Sequence, residues 1–191
     1  MPYYRDKNPI HNEMNRKQDK YKWLIALLAV VMASMALATP EQDTGLAEKA
    51  YNAGDLPKAI EILRKAAVQG YAPAQVLLGE VLDYAEEDEE AVRWLRKAAE
   101  QGNAAGELGL GVMYLKGEGV VQDSEKSLYW CMRAAEQNYL PAVEYLARGY
   151  RMGDFGPGVN VEQAQFWEAK ASALKSNAAT EKTKVKQGER K

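Results

Sequence analysis

The chain has 191 residues, 25 Lys+Arg against 27 Asp+Glu for a net charge of −2, one histidine and one cysteine. His11 and Cys131 stand 120 positions apart, which excludes a Ser-His-Asp or Cys-His catalytic centre, a histidine-ligated metal, a zinc ribbon and a disulfide framework. With 47% apolar and 27% charged residues the composition is globular, enough for one domain or two, and the balance of charge gives no footprint for nucleic acid.

Residues 1–38 carry six Lys/Arg and three Asp/Glu. They run into an uncharged stretch, 23–38, WLIALLAVVMASMALA, closing on Ala36-Leu37-Ala38 before Thr39-Pro40. A basic n-region, an apolar h-region and an A-x-A site are the three parts of a secretory signal peptide. The 16 apolar residues fall short of the ~20 that a spanning helix needs. An uncleaved N-terminal anchor is the alternative, and membrane contact is expected only through this segment. Either form places residues 39–191 outside the cytoplasm, because positive charge stays inside. The n-region is long; a start at Met14 gives MNRKQDKYK and a signal of ordinary length.

Residues 39–175 hold 14 Lys/Arg against 22 Asp/Glu, a local −8. Self-similarity dominates them. KAIEILRKAAVQGYAPAQVLLG (58–79), EAVRWLRKAAEQGNAAGELGLG (90–111) and KSLYWCMRAAEQNYLPAVEYLA (126–147) align, with Ala66-Ala67, Ala98-Ala99 and Ala134-Ala135 in register at spacings of 32 and 36. A fourth partial copy starts at Gln163. Trp94, Trp130 and Trp167 fall on one repeat position, held by Ile62 in the first copy.

Each unit reads as two helices. Ala59, Ile62, Leu63, Ala66 and Ala67 form one apolar face at i, i+3, i+4, i+7 and i+8, and Ala74, Leu77, Leu78, Val81 and Leu82 form another. Gly70, Gly102 and Asn138 follow the second helices, where a left-handed cap is needed, and Pro73 and Pro141 open the next ones. The predicted pairs are 41–53 with 56–69, 72–86 with 88–101, 104–116 with 123–137, and 140–152 with 161–175. The fold expected is all-α, about four stacked hairpins whose apolar faces are buried only by stacking. The tail, 176–191, is polar and basic and is expected to be disordered.

Leu110-Gly111, Met113-Tyr114, Gly117-Glu118-Gly119-Val120, Asp123, Trp130 and Ala134-Ala135-Glu136-Gln137 resemble the Sel-1-like repeat, a relative of the tetratricopeptide repeat. The stretch from Ala50 to Ile60 is closer to the tetratricopeptide form itself. The resemblance spans about 44–175. It implies a right-handed α-solenoid whose inner surface binds a protein or peptide. The second unit departs from the pattern, with residues 86–90, EEDEE, in place of Gly-x-Gly-Val; the fourth lengthens that turn to 153–159.

Other chemistry is weak. Gly106, Gly109 and Gly111 lack the order and the preceding strand of a phosphate loop and read as helix-packing glycines. Cys131 reads as a small buried hydrophobe, with a mixed disulfide to a partner as the alternative. The acids at 86–90 read as a solvated loop without calcium-loop spacing. No pair of carboxylates is singled out for glycosidase chemistry, so no enzyme and no cofactor are expected.

The first helix of each pair is expected to line the concave side. Its non-core positions are Glu80, Val112 and Arg148 at one register, Asp83, Leu115 and Arg151 at the next, with Gln75 and Glu107 nearby. Acidic at one end and basic at the other, this stripe would orient a bound peptide by charge. The function expected is an exported scaffold or adaptor in the bacterial periplasm or envelope, with a cell-wall or exopolysaccharide-binding protein as the alternative.

Overall fold

The computed structural model describes Lys22, 39–156 and 158–188, with side chains as far as Glu181. The export segment read at 1–38 lies, apart from Lys22, outside the described residues. The chain divides into two units, Met1–Thr39 and Pro40–Lys191, and the helices below belong to the second. They are α1 (Pro40–Asn52), α2 (Leu56–Val68), α3 (Ala72–Tyr84), α4 (Asp88–Glu100), α5 (Ala104–Lys116), α6 (Ser124–Glu136), α7 (Leu140–Met152) and α8 (Val161–Gly188). No strand occurs among the described residues.

The repeat dictates where the helices start. Asp55, Asn103 and Asp123 accept hydrogen bonds from the backbone N–H groups of Lys58, Gly106 and Lys126, at 3.2, 3.0 and 2.9 Å, satisfying N–H groups the first turn leaves free. Pro57, Pro73 and Pro141 take the first-turn positions of α2, α3 and α7, where a missing N–H costs little. At the far ends Gly70, Gly102 and Asn138 adopt positive φ, as the spacing predicts. Glu86 also stands at φ 62°, where the first unit has Gly54 at φ 81°; an L side chain there costs about 1 kcal/mol. Only Glu86 and Glu87 of the acidic run lie in the connection. Asp88, Glu89 and Glu90 are the first turn of α4, where the helix dipole favours negative charge.

Consecutive helices pack as antiparallel hairpins, α1 with α2 through α7 with α8, and each hairpin stacks on the next. The chain is thus the α-solenoid of four hairpins that the repeats predict. The paired alanines at 66–67, 98–99 and 134–135 are all buried and let adjacent helices close up. At Gly106 an added Cβ would sit 2.6 Å from Ala98 Cβ, and at Gly111 it would sit 2.6 Å from Cys131 Sγ. These glycines are packing contacts, and Cys131 is sealed beneath one of them. Leu63, Leu78, Leu82, Leu110 and Leu146 are fully buried, each worth about 1.5–3 kcal/mol. Trp94 and Trp167 are buried, and Trp130 packs against the core of the first three hairpins. Each carries a basic side chain three residues on: Lys97 at 4.1 Å, Arg133 at 5.1 Å and Lys170 at 5.3 Å from the ring centroid, which shields the outer face of the indole.

The last helix differs from expectation. Instead of stopping near 175 it continues to Gly188, through most of the segment read as a disordered tail. Residues 176–187 are mostly Ala, Glu, Lys, Gln and Thr with no proline, so nothing in them halts a helix that packing has already nucleated. No helix among the described residues is long and apolar enough to cross a membrane.

Candidate partner-binding groove

First helices of successive hairpins touch one another, α1 on α3, α3 on α5 and α5 on α7, and so form one continuous inner surface. Hollows lie along it. One of about 290 Å³ is lined by Ala47, Glu48, Tyr51, Leu63, Leu77 and Glu80, among others. A second, of about 490 Å³, adds Glu41, Thr44, Tyr71, Val76 and Ala105. A third, of about 210 Å³, is walled by Glu80, Asp83, Leu108, Val112, Met113 and Tyr139. Glu80 borders all three. Among the described residues no Lys, Arg or His lines any of them.

The electrostatics follow from that lining. The Glu80 carboxyl is pushed above the ordinary carboxylate range, chiefly by desolvation and secondarily by the Asp83 charge. Asp83 is raised as well, by desolvation first, with Lys116 opposing; Lys116 Nζ stands 3.9 Å from Asp83 Oδ2. Glu80 has no such counter-charge among the described residues.

The structure divides the stripe read from the sequence. Glu80, Asp83 and Val112 share one hollow, and Leu115 lies half-buried a turn further along α5. Arg148 and Arg151 line a different hollow, between α7 and α8, with Glu144, Glu168, Ala171, Ser172 and Lys175. There Arg151 pairs with Glu168, and Lys175 with Glu144 at 2.6 Å. This is the surface on which a further hairpin would stack, so the two arginines do not continue the acidic groove of α1, α3 and α5.

Gln75 and Glu107 leave the groove altogether, at 3% and 0% exposure. Five residues from Glu80, Gln75 is turned about 140° around the helix, toward the preceding hairpin. Gln75 Nε2 donates to Ala67 O at 3.0 Å, and Gln101 Nε2 donates to Gln75 Oε1 at 2.6 Å. One repeat later Gln137 Nε2 donates to Glu107 Oε2 at 2.8 Å, and Arg133 Nη2 lies 3.0 Å from Glu107 Oε1. The two are one clasp, built twice, that ties the first helix of a hairpin to the end of its second helix, and at Gln75 it also reaches Ala67 of the preceding hairpin. At the third junction Val143 holds that position, and Lys170 Nζ donates instead to Ala135 O at 2.8 Å. The register of 32 and 36 that aligns Gln75 with Glu107 and Gln101 with Gln137 carries the signal for these pairs. Glu48, Tyr71 and Tyr139 are groove residues that helical periodicity on α3 and α5 could not reach, since they lie on α1 and in the caps.

The Sel1 repeat pattern matches residues 45–71, 72–103, 104–139 and 141–176. The chain belongs to the Sel1 repeat family. Sel1 repeat proteins are generally scaffolds for protein interaction. Among solved structures, a Sel1 repeat protein from Oxalobacter formigenes is 31% identical over 71% of this chain and 41% of its own, with a TM-score of 0.61. The protective antigen c5321 of uropathogenic Escherichia coli strains is 30% identical over 76% of this chain and 33% of its own, with a TM-score of 0.64. This Sel1 repeat protein therefore spans only a third to two-fifths of those two chains. MamA, at 19% identity and TM-score 0.54, covers 99% of its own length and shares the fold. No curated protein matches.

Proposed function

We propose that this Sel1 repeat protein is an exported, non-catalytic scaffold that holds a protein partner in the α1–α3–α5 groove, outside the cytoplasm of a bacterium. The observation that carries the reading is the groove itself: apolar walls interrupted by carboxylates, open along one side, with no histidine anywhere after His11. Such a surface grips an extended or helical segment and offers no nucleophile–base pair. Export rests on the basic and apolar halves of residues 1–38, and a periplasmic or envelope setting follows from it. A cell-wall or exopolysaccharide ligand is the second reading, favoured by Tyr51, Tyr71 and Tyr139 along the groove, whose rings suit sugar stacking.

Two experiments test this. Alkaline phosphatase fused after residue 191 should be active in the cell, reporting export; an inactive, stable fusion would overturn the location. A photo-crosslinking amino acid at Val112 should yield one discrete protein adduct in cells, absent when the probe is moved to exposed Val68 on α2. Adducts that a glycan-degrading enzyme removes would establish the second reading instead.

A further inference from the structure

The three hollows present an asymmetry of charge that singles out an occupant. Glu41, Glu48, Glu80 and Asp83 line them, and no basic side chain among the described residues does. Elsewhere on the solenoid several carboxylates are matched: Glu90 by Arg64, Glu107 by Arg133, Glu168 by Arg151. Glu48 and Glu80 have no such partner among the described residues. Any ligand that covers them strips their water. A neutral apolar segment would return nothing for that loss, and an acidic one would add repulsion, whereas an ammonium or guanidinium replaces the lost hydration with a direct pair.

The shape agrees with the charge. The hollow between α1 and α3 is lined by the exposed carboxylates of Glu48 and Glu80 and by the buried Ala47 and Leu63, with Leu77 and Tyr51 beside them, which suits a side chain with an aliphatic stem and a charged head. The neighbouring hollow between α3 and α5, walled by Leu108, Val112 and Tyr139, suits an apolar side chain. Glu80 stands between the two.

We propose that the groove takes a basic–apolar segment of another protein, with a Lys or Arg seated between Glu48 and Glu80 and an apolar neighbour against Leu108, Val112 and Tyr139. This rests on the scaffold reading and names the chemistry of its partner.

The test uses the full chain and fluorescein-labelled peptides of three kinds: one with a Lys–Leu core, the same with Gln for Lys, and the same with Glu for Lys. Fluorescence anisotropy should show the Lys peptide binding at least about tenfold tighter than the Gln peptide and weakening as salt is added. The Glu peptide should not bind. In the E48Q/E80Q variant the Lys peptide should fall to the level of the Gln peptide, while E162Q, on exposed α8 surface, should leave it unchanged. A melting curve for E48Q/E80Q no lower than that of the parent separates lost recognition from lost folding. Equal binding of Lys and Gln peptides, or tighter binding of the Glu peptide, overturns the proposal. If no Lys peptide binds yet Val112 still crosslinks to a protein, the scaffold reading stands and the basic partner is wrong. If neither occurs, both fall.

Discussion

The ring of Phe155 occupies the space that a side chain on Gly149 would need: a Cβ added there would lie 2.1 Å from Phe155 Cε2. One repeat earlier the same register holds Met113, and before that Val81, both buried. The fourth unit thus gives up a core side chain on α7 and refills the site from its lengthened turn, where Phe155 packs with Tyr150 and Tyr145 at centroid distances of 5.5 and 6.1 Å. Phe155→Ala should lower the unfolding free energy by about 2–3 kcal/mol, and Gly149→Ala by about 1–3 kcal/mol through overpacking. The double change Gly149→Met with Phe155→Ala should be markedly less harmful than the sum of its parts in urea denaturation. Simple additivity would show that the two residues do not exchange places.

The clasp repeated at Gln75 and Glu107 makes an ordered prediction. Since Gln75 performs the same task with an amide, Glu107→Gln should cost less than about 1 kcal/mol. Arg133→Ala should cost more than that, because it leaves a buried carboxylate without its counter-charge. Adding Glu107→Gln to Arg133→Ala should recover most of the loss, a coupling readable from a double-mutant cycle by denaturant titration.

Two carboxylates respond to acid in opposite senses. The Arg64 guanidinium, with a further hydrogen bond from Trp94, holds Glu90 at about 2. A depressed native pKa contributes stability that is present above the ordinary value of 4.5 and lost as pH falls toward 2. Because the Arg64 side chain is 41% exposed, solvent screening reduces the contribution to about 1–2 kcal/mol. Glu90→Gln should remove that part of the acid sensitivity between pH 5 and 2 while still accepting from Trp94. Glu80 works the other way: its raised carboxyl favours the protonated form in the folded state, so its ionisation burdens the fold at neutral pH and the burden lifts on acidification. Glu80→Gln should therefore melt at the same temperature as the parent, or higher, at pH 7.

Cys131 is fully buried and its thiol is pushed up to about 12 by desolvation. A disulfide-exchange reagent at pH 8 should label the native protein slower than the urea-unfolded chain by a factor on the order of 10³ or more, tracking transient opening. Prompt labelling of the native protein would mean that α6 is not packed beneath Gly111.

Periodicity alone made most of the solenoid legible. The paired alanines, the tryptophan register, the proline starts and the Gly/Asn ends all appear in the structure where the repeats put them. What helical spacing cannot convey is which neighbour a polar residue faces. Gln75 and Glu107 look like surface positions on a helical wheel, yet both are buried and bonded to the glutamine that ends the second helix of their own hairpin. Arg148 aligns with Glu80, yet the hollow it lines is walled by α7 and α8 alone. The extension of α8 was missed because its residues lack an apolar face, although their helix propensity is good.

The hairpin-four surface bears on how such an array changes length. Glu168 stands in the register of Leu95 and Cys131, and Ser172 in that of Ala99 and Ala135, so a unit appended after α8 would have to bury charges already paired with Arg151 and Lys175. At the seam between the second and third hairpins the same registers hold Leu95 and Ala99, both buried, and charge is confined to the rim, where Lys116 faces Asp83 at 3.9 Å and Arg96 reaches the Tyr114 hydroxyl at 3.1 Å. Stacking against the fourth hairpin therefore carries a desolvation cost that the apolar registers inside the array do not.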